Sequence, residues 1–252
     1  MRRGVEAEVD AGAGAGGAAA EETVDAFLRG GFRLVQPRRG HRSGLDALLL
    51  AAAVPRDARG RLLDLGAGSG AVAFAALTRA PDLHATLVEI DPAAADRARR
   101  GAALNAHLGT RVDVVEGDVL SASPGASSGG FDHVVANPPF NVTGRVSPNG
   151  DRARAHAAVD LAAWIGAMRR AARPGGRLAL IVRPSELPLV LAEIARGAGG
   201  VSVTPVHPRA GEPAHRVVVA AAKGARAPLT LAPPLVVHEG GGFTREAAAL
   251  FE

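Results

Sequence analysis

The chain of 252 residues contains no cysteine and no tyrosine, and Lys223 is its only lysine. The absence of cysteine excludes disulfides, thiolate zinc sites and a cysteine nucleophile. No apolar run reaches the 18 residues that a membrane-spanning helix needs, and no apolar segment of a secretion signal follows the N-terminus. We therefore expect a cytoplasmic protein that makes no contact with a membrane.

Residues 1–22 are rich in alanine and glycine, whereas the rest has a globular composition. Such a tail has too few large apolar groups to offset the entropy of ordering, so we predict a disordered tail (1–22) and a single domain (23–252). The formal net charge is +4. Two clusters could bind phosphates or could simply be solvated: Arg38, Arg39, His41 and Arg42, and Arg145, Arg152 and Arg154.

Short apolar runs alternate with alanine-rich helical patterns along the chain. Strands are predicted at 61–65, 85–90, 112–116, 131–136 and 177–182, and helices at 44–54, 71–79, 92–108 and 161–172. This alternation is typical of βαβ units, which build a doubly wound, mostly parallel α/β sheet with helices on both faces. Two further strands, 201–206 and 216–221, are too close for a crossover helix and must pair antiparallel. The pattern predicts seven strands with an antiparallel strand at the C-terminal side.

A glycine-rich segment, residues 62–70 (LLDLGAGSG), ends the first of these strands and leads into a helix. Glycines let the backbone pass close to a ligand, and the start of a helix offers unpaired N–H groups. Gly66, Gly68 and Ala71, followed by Glu89 near the end of the next strand, also satisfy the dinucleotide-binding fingerprint. Taken alone, the loop leaves a nicotinamide cofactor open.

Three further features favour S-adenosylmethionine (SAM). Asp64 is placed to receive the cationic amino-acid end of SAM, and Asp118, after the third strand, could accept the adenine amine. The Asn137-Pro-Pro-Phe sequence after the fourth strand has no role in hydride transfer. Ligands gather at the carboxyl ends of strands in open α/β sheets. We therefore predict SAM contacts at Asp64, Gly66, Ala67, Gly68, Glu89, Ile90, Asp118, Val119 and Asn137.

The Asn137-Pro138-Pro139-Phe140 sequence ends its strand abruptly, because prolines fix φ and donate no N–H. The side-chain oxygen of Asn137 and the backbone oxygen of Pro138 can each accept one N–H of a planar amine, while Phe140 stacks on it. Adenine N6 and a glutamine amide both fit this description. A strand-ending turn with a surface phenylalanine is the ordinary alternative, but the glycine loop upstream favours catalysis.

These segments together resemble the small-methyltransferase branch of SAM-dependent enzymes, and in particular the bacterial tRNA(Val) adenine-N6 methyltransferases. The resemblance runs from Thr23 over most of the chain. Its matching segments are FRLVQPRRGHRSGLDALLLAA, LLDLGAGSG, VEID, EGD, ANPPF and RPGGRLALIVRP. It implies the class I, Rossmann-like methyltransferase fold, SAM as cofactor and a tRNA substrate methylated beside the anticodon. It also implies that Asp46, and less directly His41 or Arg42, lie near SAM.

The resemblance implies Asn137, Pro138 and Phe140 as the catalytic residues, with transfer of a methyl group to an exocyclic amine. Adenine N6 in tRNA is the first expectation. Methylation of glutamine N5 or guanine N2, in a translation factor, ribosomal protein or rRNA, is the alternative. The related glutamine methyltransferases usually add a helical N-terminal domain that residues 1–30 cannot build. A nucleotide-binding oxidoreductase and a non-catalytic RNA-binding protein are further alternatives. The histidines lack ligand-like spacing, so we predict no metal.

Overall fold

The computed structural model describes residues 21–40, 42–121, 130–139 and 161–250. A hairpin of two strands comes first, and ten further strands in the described residues form one sheet. The hairpin strands are β1 (Glu22–Phe27) and β2 (Phe32–Pro37). The strands of the sheet are β3 (Gly60–Leu65), β4 (Leu83–Glu89), β5 (Val112–Glu116), β6 (Phe131–Ala136), β7 (Ala172–Val182), β8 (Ala198–Arg209), β9 (Arg216–Lys223), β10 (Thr230–Leu231), β11 (Leu235–Glu239) and β12 (Gly242–Phe243).

The helices cover both faces of this sheet. They are α1 (Leu45–Ala52), α2 (Ala71–Arg79), α3 (Pro92–Leu104), α4 (Ala106–Gly109), α5 (Leu161–Ala171), α6 (Leu187–Ile194) and α7 (Arg245–Leu250), with 3₁₀ turns at Leu28–Gly30 and Pro184–Glu186. Within the described part of the chain, none of them has both the length and the apolar character needed to cross a bilayer.

The sheet has the order β12-β11-β8-β9-β7-β6-β3-β4-β5, with β10 beside β8. Strands β3 to β7 are parallel, and β9 runs antiparallel between β7 and β8. The seven predicted strands and the antiparallel insertion are thus confirmed. Three short strands, β10 to β12, lengthen the sheet beyond β8. Sequence periodicity did not predict them, because two to five residues are too few to show alternation.

Asn105 divides the helix that the sequence predicts over 92–108. Its side-chain amide donates to the backbone oxygens of Gly101 at 2.8 Å and Arg33 at 2.7 Å, and its side-chain oxygen accepts from Arg33 N at 2.8 Å. Asparagine competes with helical hydrogen bonding when its side chain bonds nearby backbone. Helix α3 therefore ends at Leu104, and the same side chain fastens it to β2 of the hairpin.

Two apolar clusters lie on the two faces of the sheet. One contains Phe32, Leu50 and Phe74, and joins the hairpin to α1 and α2. The other contains Trp164 and Val190, and joins α5 and α6 to the opposite face. The predicted coverage of both faces is confirmed.

The parallel strands bring the candidate segments to one edge of the sheet. Leu65 at the end of β3 is in register with Val88 of β4 and with Ala136 of β6, and Glu89 pairs with Glu116 of β5. The segments that follow these four strands therefore meet at their shared carboxyl edge, as open α/β sheets require for a ligand site.

Candidate active site at the carboxyl edge of the sheet

The glycine loop after β3 is held in a left-handed conformation against the end of β4. Gly66, Gly68 and Gly70 have φ values of +67°, +57° and +92°, which favour residues without a Cβ. The N–H groups of Gly66 and Ala67 donate to the carbonyl oxygen of Val88 at 2.8 and 3.1 Å. The loop is therefore a fixed turn before any ligand arrives.

One side of this loop is packed and the other is open. A Cβ added at Gly66 would lie 2.5 Å from Cη2 of Trp164, whereas a Cβ added at Gly68 would meet no atom within 4 Å. The space in front of Gly68 is where a ligand could approach the backbone closely. This geometry fits the cofactor that the sequence predicts at Gly66, Ala67 and Gly68.

Glu89, the last residue of β4, connects the loop to the neighbouring strand. The side chain is 8% exposed. Its Oε2 accepts a hydrogen bond from Gly68 N at 2.7 Å, and its Oε1 accepts one from Asp91 N at 2.9 Å. The adjoining Ile90 is 44% exposed, an apolar side chain open to solvent at the same edge. These placements agree with the predicted cofactor contacts, which remain predictions.

Asp64 lies beneath the loop and is 1% exposed. Its Oδ2 accepts from the N–H of Ala73, in the first turn of α2, at 3.2 Å. Burial raises the pKa of Asp64 to about 7; the bond from Ala73 opposes this shift, and the charge of Glu89 adds to it. A cationic group beside this carboxylate would stabilise its ionised form, which suits the ammonium end of the predicted ligand.

Asp118 closes a tight turn after β5. Its Oδ1 accepts from Leu120 N at 2.9 Å, and the next residue, Val119, is 6% exposed. The N–H of Gly117 donates to the backbone oxygen of Glu89 at 2.9 Å. This bond brings the Asp118 turn against the end of β4, so the third predicted cofactor segment lies beside the second.

Asn137 has a buried side-chain oxygen, and this Oδ1 has no hydrogen-bond partner among the described residues. Strand β6 ends at Ala136, directly before Asn137 and the prolines, as predicted; Pro138 is buried and Pro139 is exposed. Phe140 lies outside the described residues, as do His41 and the cluster of Arg145, Arg152 and Arg154. A buried acceptor without a donor costs about 1–3 kcal/mol, so its retention favours a functional role.

Asp46 and Arg42, which the resemblance placed near the cofactor, are both engaged within the protein. Asp46 Oδ2 accepts from Arg216 Nε at 2.7 Å. Arg42 pairs with Asp25 and also donates to the oxygens of Thr23 and Pro37, so it fastens the segment before α1 to the hairpin. A direct cofactor contact of Asp46 stays a prediction.

Trp164 is a residue of the site that the sequence reading did not identify. Trp164 and Met168 lie on the buried face of α5 and are 4% and 1% exposed. However, the Trp164 ring also fills the space behind Gly66, and its Nε1 is buried with no partner in the described ranges. The two residues are far apart in the sequence, and no local pattern could have shown their contact.

No group of three or more histidine, aspartate or glutamate side chains in the described ranges could hold a metal ion. The absence of a metal from this site therefore stays a prediction.

Comparison with protein families finds a match to the model of the methyltransferase small domain over residues 43–187. Three proteins of similar sequence are named as methyltransferases. A tRNA1(Val) (adenine(37)-N6)-methyltransferase of Porphyromonas gingivalis is 34% identical over 63% of this chain and 65% of its own length. One of the same name from Aeromonas hydrophila is 32% identical over 77% of this chain and 81% of its own. A release factor glutamine methyltransferase of Deinococcus radiodurans is 32% identical over 58% and 53%.

A solved structure agrees with this relationship. The structure of a predicted O-methyltransferase from Agrobacterium tumefaciens superposes with a TM-score of 0.68 and is 34% identical. The match covers 81% of this chain and 94% of that one. The family match over residues 43–187 includes the glycine loop and the ends of strands β4, β5 and β6.

Proposed function

This chain belongs to the methyltransferase small domain family and uses SAM, and we propose that it methylates N6 of an adenosine in tRNA. The observation that carries the proposal is the buried Oδ1 of Asn137, which has no hydrogen-bond partner within the described ranges and precedes two prolines at the edge that bears the glycine loop. An exocyclic amine would supply the N–H donor that this oxygen requires.

The cofactor residues divide according to the groups they can bind. Asp64 suits the ammonium group, since a cation would compensate its buried charge. Gly68 leaves space for close backbone approach, and Glu89 stands beside that space, where an acid can bind ribose hydroxyls. Asp118 would accept the adenine amine of the cofactor, with the side chains of Ile90 and Val119 beside the ring.

In the proposed reaction, the residues of this chain contribute by orienting the target amine. When bound, SAM supplies an electrophilic methyl group. Asn137 Oδ1 and the backbone oxygen of Pro138 would each accept one N–H of the target amine, so that its lone pair points at the methyl carbon. Preorganised acceptors of this kind contribute a few kcal/mol each, because they match charge that develops in the transition state. We expect Phe140 to stack on the target base, a contact worth about 1–3 kcal/mol.

The names of the similar proteins from Porphyromonas gingivalis and Aeromonas hydrophila support tRNA as the substrate. An adenosine in the anticodon loop would have to be turned out of its stack to reach Asn137, as recognition of single-stranded RNA generally requires. The cytoplasmic location expected from the sequence would place the enzyme with tRNA.

The direct test is transfer of label from methyl-labelled SAM into bulk tRNA of a strain that lacks this protein, followed by mass spectrometry of the nucleosides. We expect the label in N6-methyladenosine. The Asn137→Ala variant is the matched control for chemistry at this site. Absence of label from tRNA with active, SAM-binding wild-type protein would contradict the proposal.

Glutamine methylation is the second candidate. Its support is the similar release factor glutamine methyltransferase, together with the planar amide that the Asn137-Pro138 acceptors would hold equally well. Label in a protein fraction, and none in tRNA, would favour this alternative.

A further inference from the structure

The carboxyl edge of the sheet bears a cation on each strand that follows β6 towards β8. Arg183 follows the end of β7, Arg216 begins the antiparallel β9, and Arg209 ends β8. The pairing of Val182 with Val217 places Arg183 and Arg216 at the same level, and the pairing of Val206 with Arg216 carries Arg209 to the same edge.

An aromatic pair lies beside Arg209 on the two outermost strands. His238 of β11 is in register with Arg209 of β8 and with Phe243 of β12. Side chains in register on neighbouring strands lie on one face of a sheet. The rings of His238 and Phe243 stack, with centroids 5.1 Å apart and planes at 21°. Phe243 is 52% exposed and the Arg209 side chain 59%, so this part of the edge is accessible.

Val206 and Arg209 are three residues apart on β8, so Arg209, His238 and Phe243 project from the face of the sheet opposite to Arg216. We name these three residues the edge track: Arg209, His238 and Phe243. Five strand spacings of about 4.8 Å separate β6 from β12, so the far end of the track lies about 24 Å from the strand that carries Asn137. The track lies at the same edge of the sheet as the proposed active site, at a distance that several nucleotides of a single strand can span.

Acidic groups along this edge of the sheet help to decide which cations bind a ligand. Asp46 holds Arg216 at 2.7 Å, and Glu186 accepts from the backbone N–H of Arg183 at 3.0 Å. Glu212 lies 3.8 Å from Arg209, too far for a hydrogen bond, and that arginine is mostly exposed. Because an exposed ion pair at this distance is weak, Arg209 is the cation best placed to exchange its partner for a phosphate.

We propose that the edge track binds the RNA substrate next to the methylated nucleotide. Arg209 contacts a phosphate and Phe243 stacks on an unpaired base, at the same edge of the sheet as Asn137. A cation beside an exposed aromatic face suits nucleic acid better than it suits an apolar protein partner. The proposal depends on the proposed function for the identity of the RNA as tRNA.

Binding of bulk tRNA, measured by fluorescence anisotropy as a function of salt concentration, tests the track directly. Phe243→Ala should raise the Kd roughly 5- to 100-fold, the range of one base–aromatic stack, whereas Phe243→Tyr should retain most of the affinity. Arg209→Ala should weaken binding and reduce the slope of log Kd against log salt by about 0.7, as expected for one lost phosphate contact on a single strand.

The chain offers matched controls for both substitutions. Leu231 is 71% exposed on β10, paired with Val203, about six residues before Arg209 along β8. Arg226 is exposed and follows β9 at the opposite edge of the sheet. Leu231→Ala and Arg226→Ala should leave both the Kd and the salt slope unchanged. Unchanged tRNA binding in Phe243→Ala and Arg209→Ala, with normal thermal stability, would show that the edge track does not bind RNA.

Methyl transfer to the same tRNA distinguishes the two proposals. If the wild type methylates tRNA and both track variants raise its KM at constant kcat and SAM affinity, the track is supported. If the wild type methylates tRNA and neither variant changes KM or Kd, the track is wrong and the proposed function stands. If tRNA is bound through Phe243 and Arg209 but never methylated, the track stands and the proposed function is wrong.

Discussion

The carboxylate of Glu89 accepts a hydrogen bond from the backbone N–H of Gly68 at 2.7 Å, across two neighbouring strand ends. The same carboxylate accepts from Asp91 N with its other oxygen. Glu89 therefore fixes the shape of the glycine loop, in addition to its predicted contact with the cofactor. Removing this side chain should affect binding through both roles.

Glu89→Ala should weaken SAM binding by roughly 10- to 100-fold, since hydrogen bonds to charged groups are worth about 1.5–3 kcal/mol. Isothermal titration calorimetry with SAM measures this loss. Glu116 is the matched control, because it is exposed and in register with Glu89 on β5. Equal losses in Glu116→Ala and Glu89→Ala would show that the edge responds to charge in general and not to this carboxylate.

Substitutions at the two loop glycines should separate stability from binding. In Gly66→Ala, the new Cβ would collide with Trp164, and the alanine would have to keep the left-handed φ of Gly66. We therefore expect a loss of about 2–4 kcal/mol in the free energy of unfolding. In Gly68→Ala, the backbone cost should be only about 1–2 kcal/mol. The methyl group would nevertheless enter the ligand space and lower SAM affinity at least tenfold.

Urea unfolding and SAM titration together check this separation. Gly224 is the control, because it has φ +77°, no atom within 4 Å of an added Cβ and a place far from the loop. Gly224→Ala should match the stability loss of Gly68→Ala without any loss of SAM affinity. Full SAM affinity in Gly68→Ala would show that the space in front of Gly68 does not receive the cofactor.

Asn137→Ala should lower the rate of methyl transfer by about 10²–10³-fold, the effect of removing one preorganised acceptor. SAM affinity should stay nearly constant, and stability should not fall, because Oδ1 has no partner among the described residues. Single-turnover kinetics measure the chemical step. Pro139→Ala, at the exposed end of the loop, should change the rate far less. A parallel loss of SAM binding in Asn137→Ala would contradict its role in holding the amine.

Asp64 should make stability depend on pH. Its pKa is about 7 when folded, against about 3.9 for an unfolded aspartate, so the folded state holds a proton that the unfolded state has lost between these values. Raising the pH from 4 to 8 should therefore destabilise the wild type by about 4 kcal/mol relative to Asp64→Asn. Most of the change should be complete near pH 7. Urea unfolding of both proteins at pH 4, 5, 6, 7 and 8 checks this. A difference in unfolding free energy that does not change with pH would exclude a raised pKa of Asp64.

The order of strands and helices could be predicted because each of these elements has a local pattern of apolar and polar residues. Helix α2 occupies the predicted residues, and the antiparallel pairing of β8 with β9 followed from the short connection between them. The division of the long helix at Asn105 could not be predicted, since it depends on Arg33, which is distant in the sequence. The short strands β10 and β11 pair with β8, and β12 pairs with β11, so all three depend on an edge formed by residues distant from β10 in the sequence.

The sequence by itself determined the candidate chemistry: a glycine loop, acids after two strands and an asparagine before two prolines, in the order that a parallel sheet brings to one edge. Only the tertiary structure decided how these groups are held. Burial leaves the Asn137 oxygen without a hydrogen-bond partner in the part of the chain that the structure describes and raises the pKa of Asp64, and strand register places Phe243 and Arg209 together. Burial and register depend on contacts between distant segments, and local sequence patterns do not contain that information.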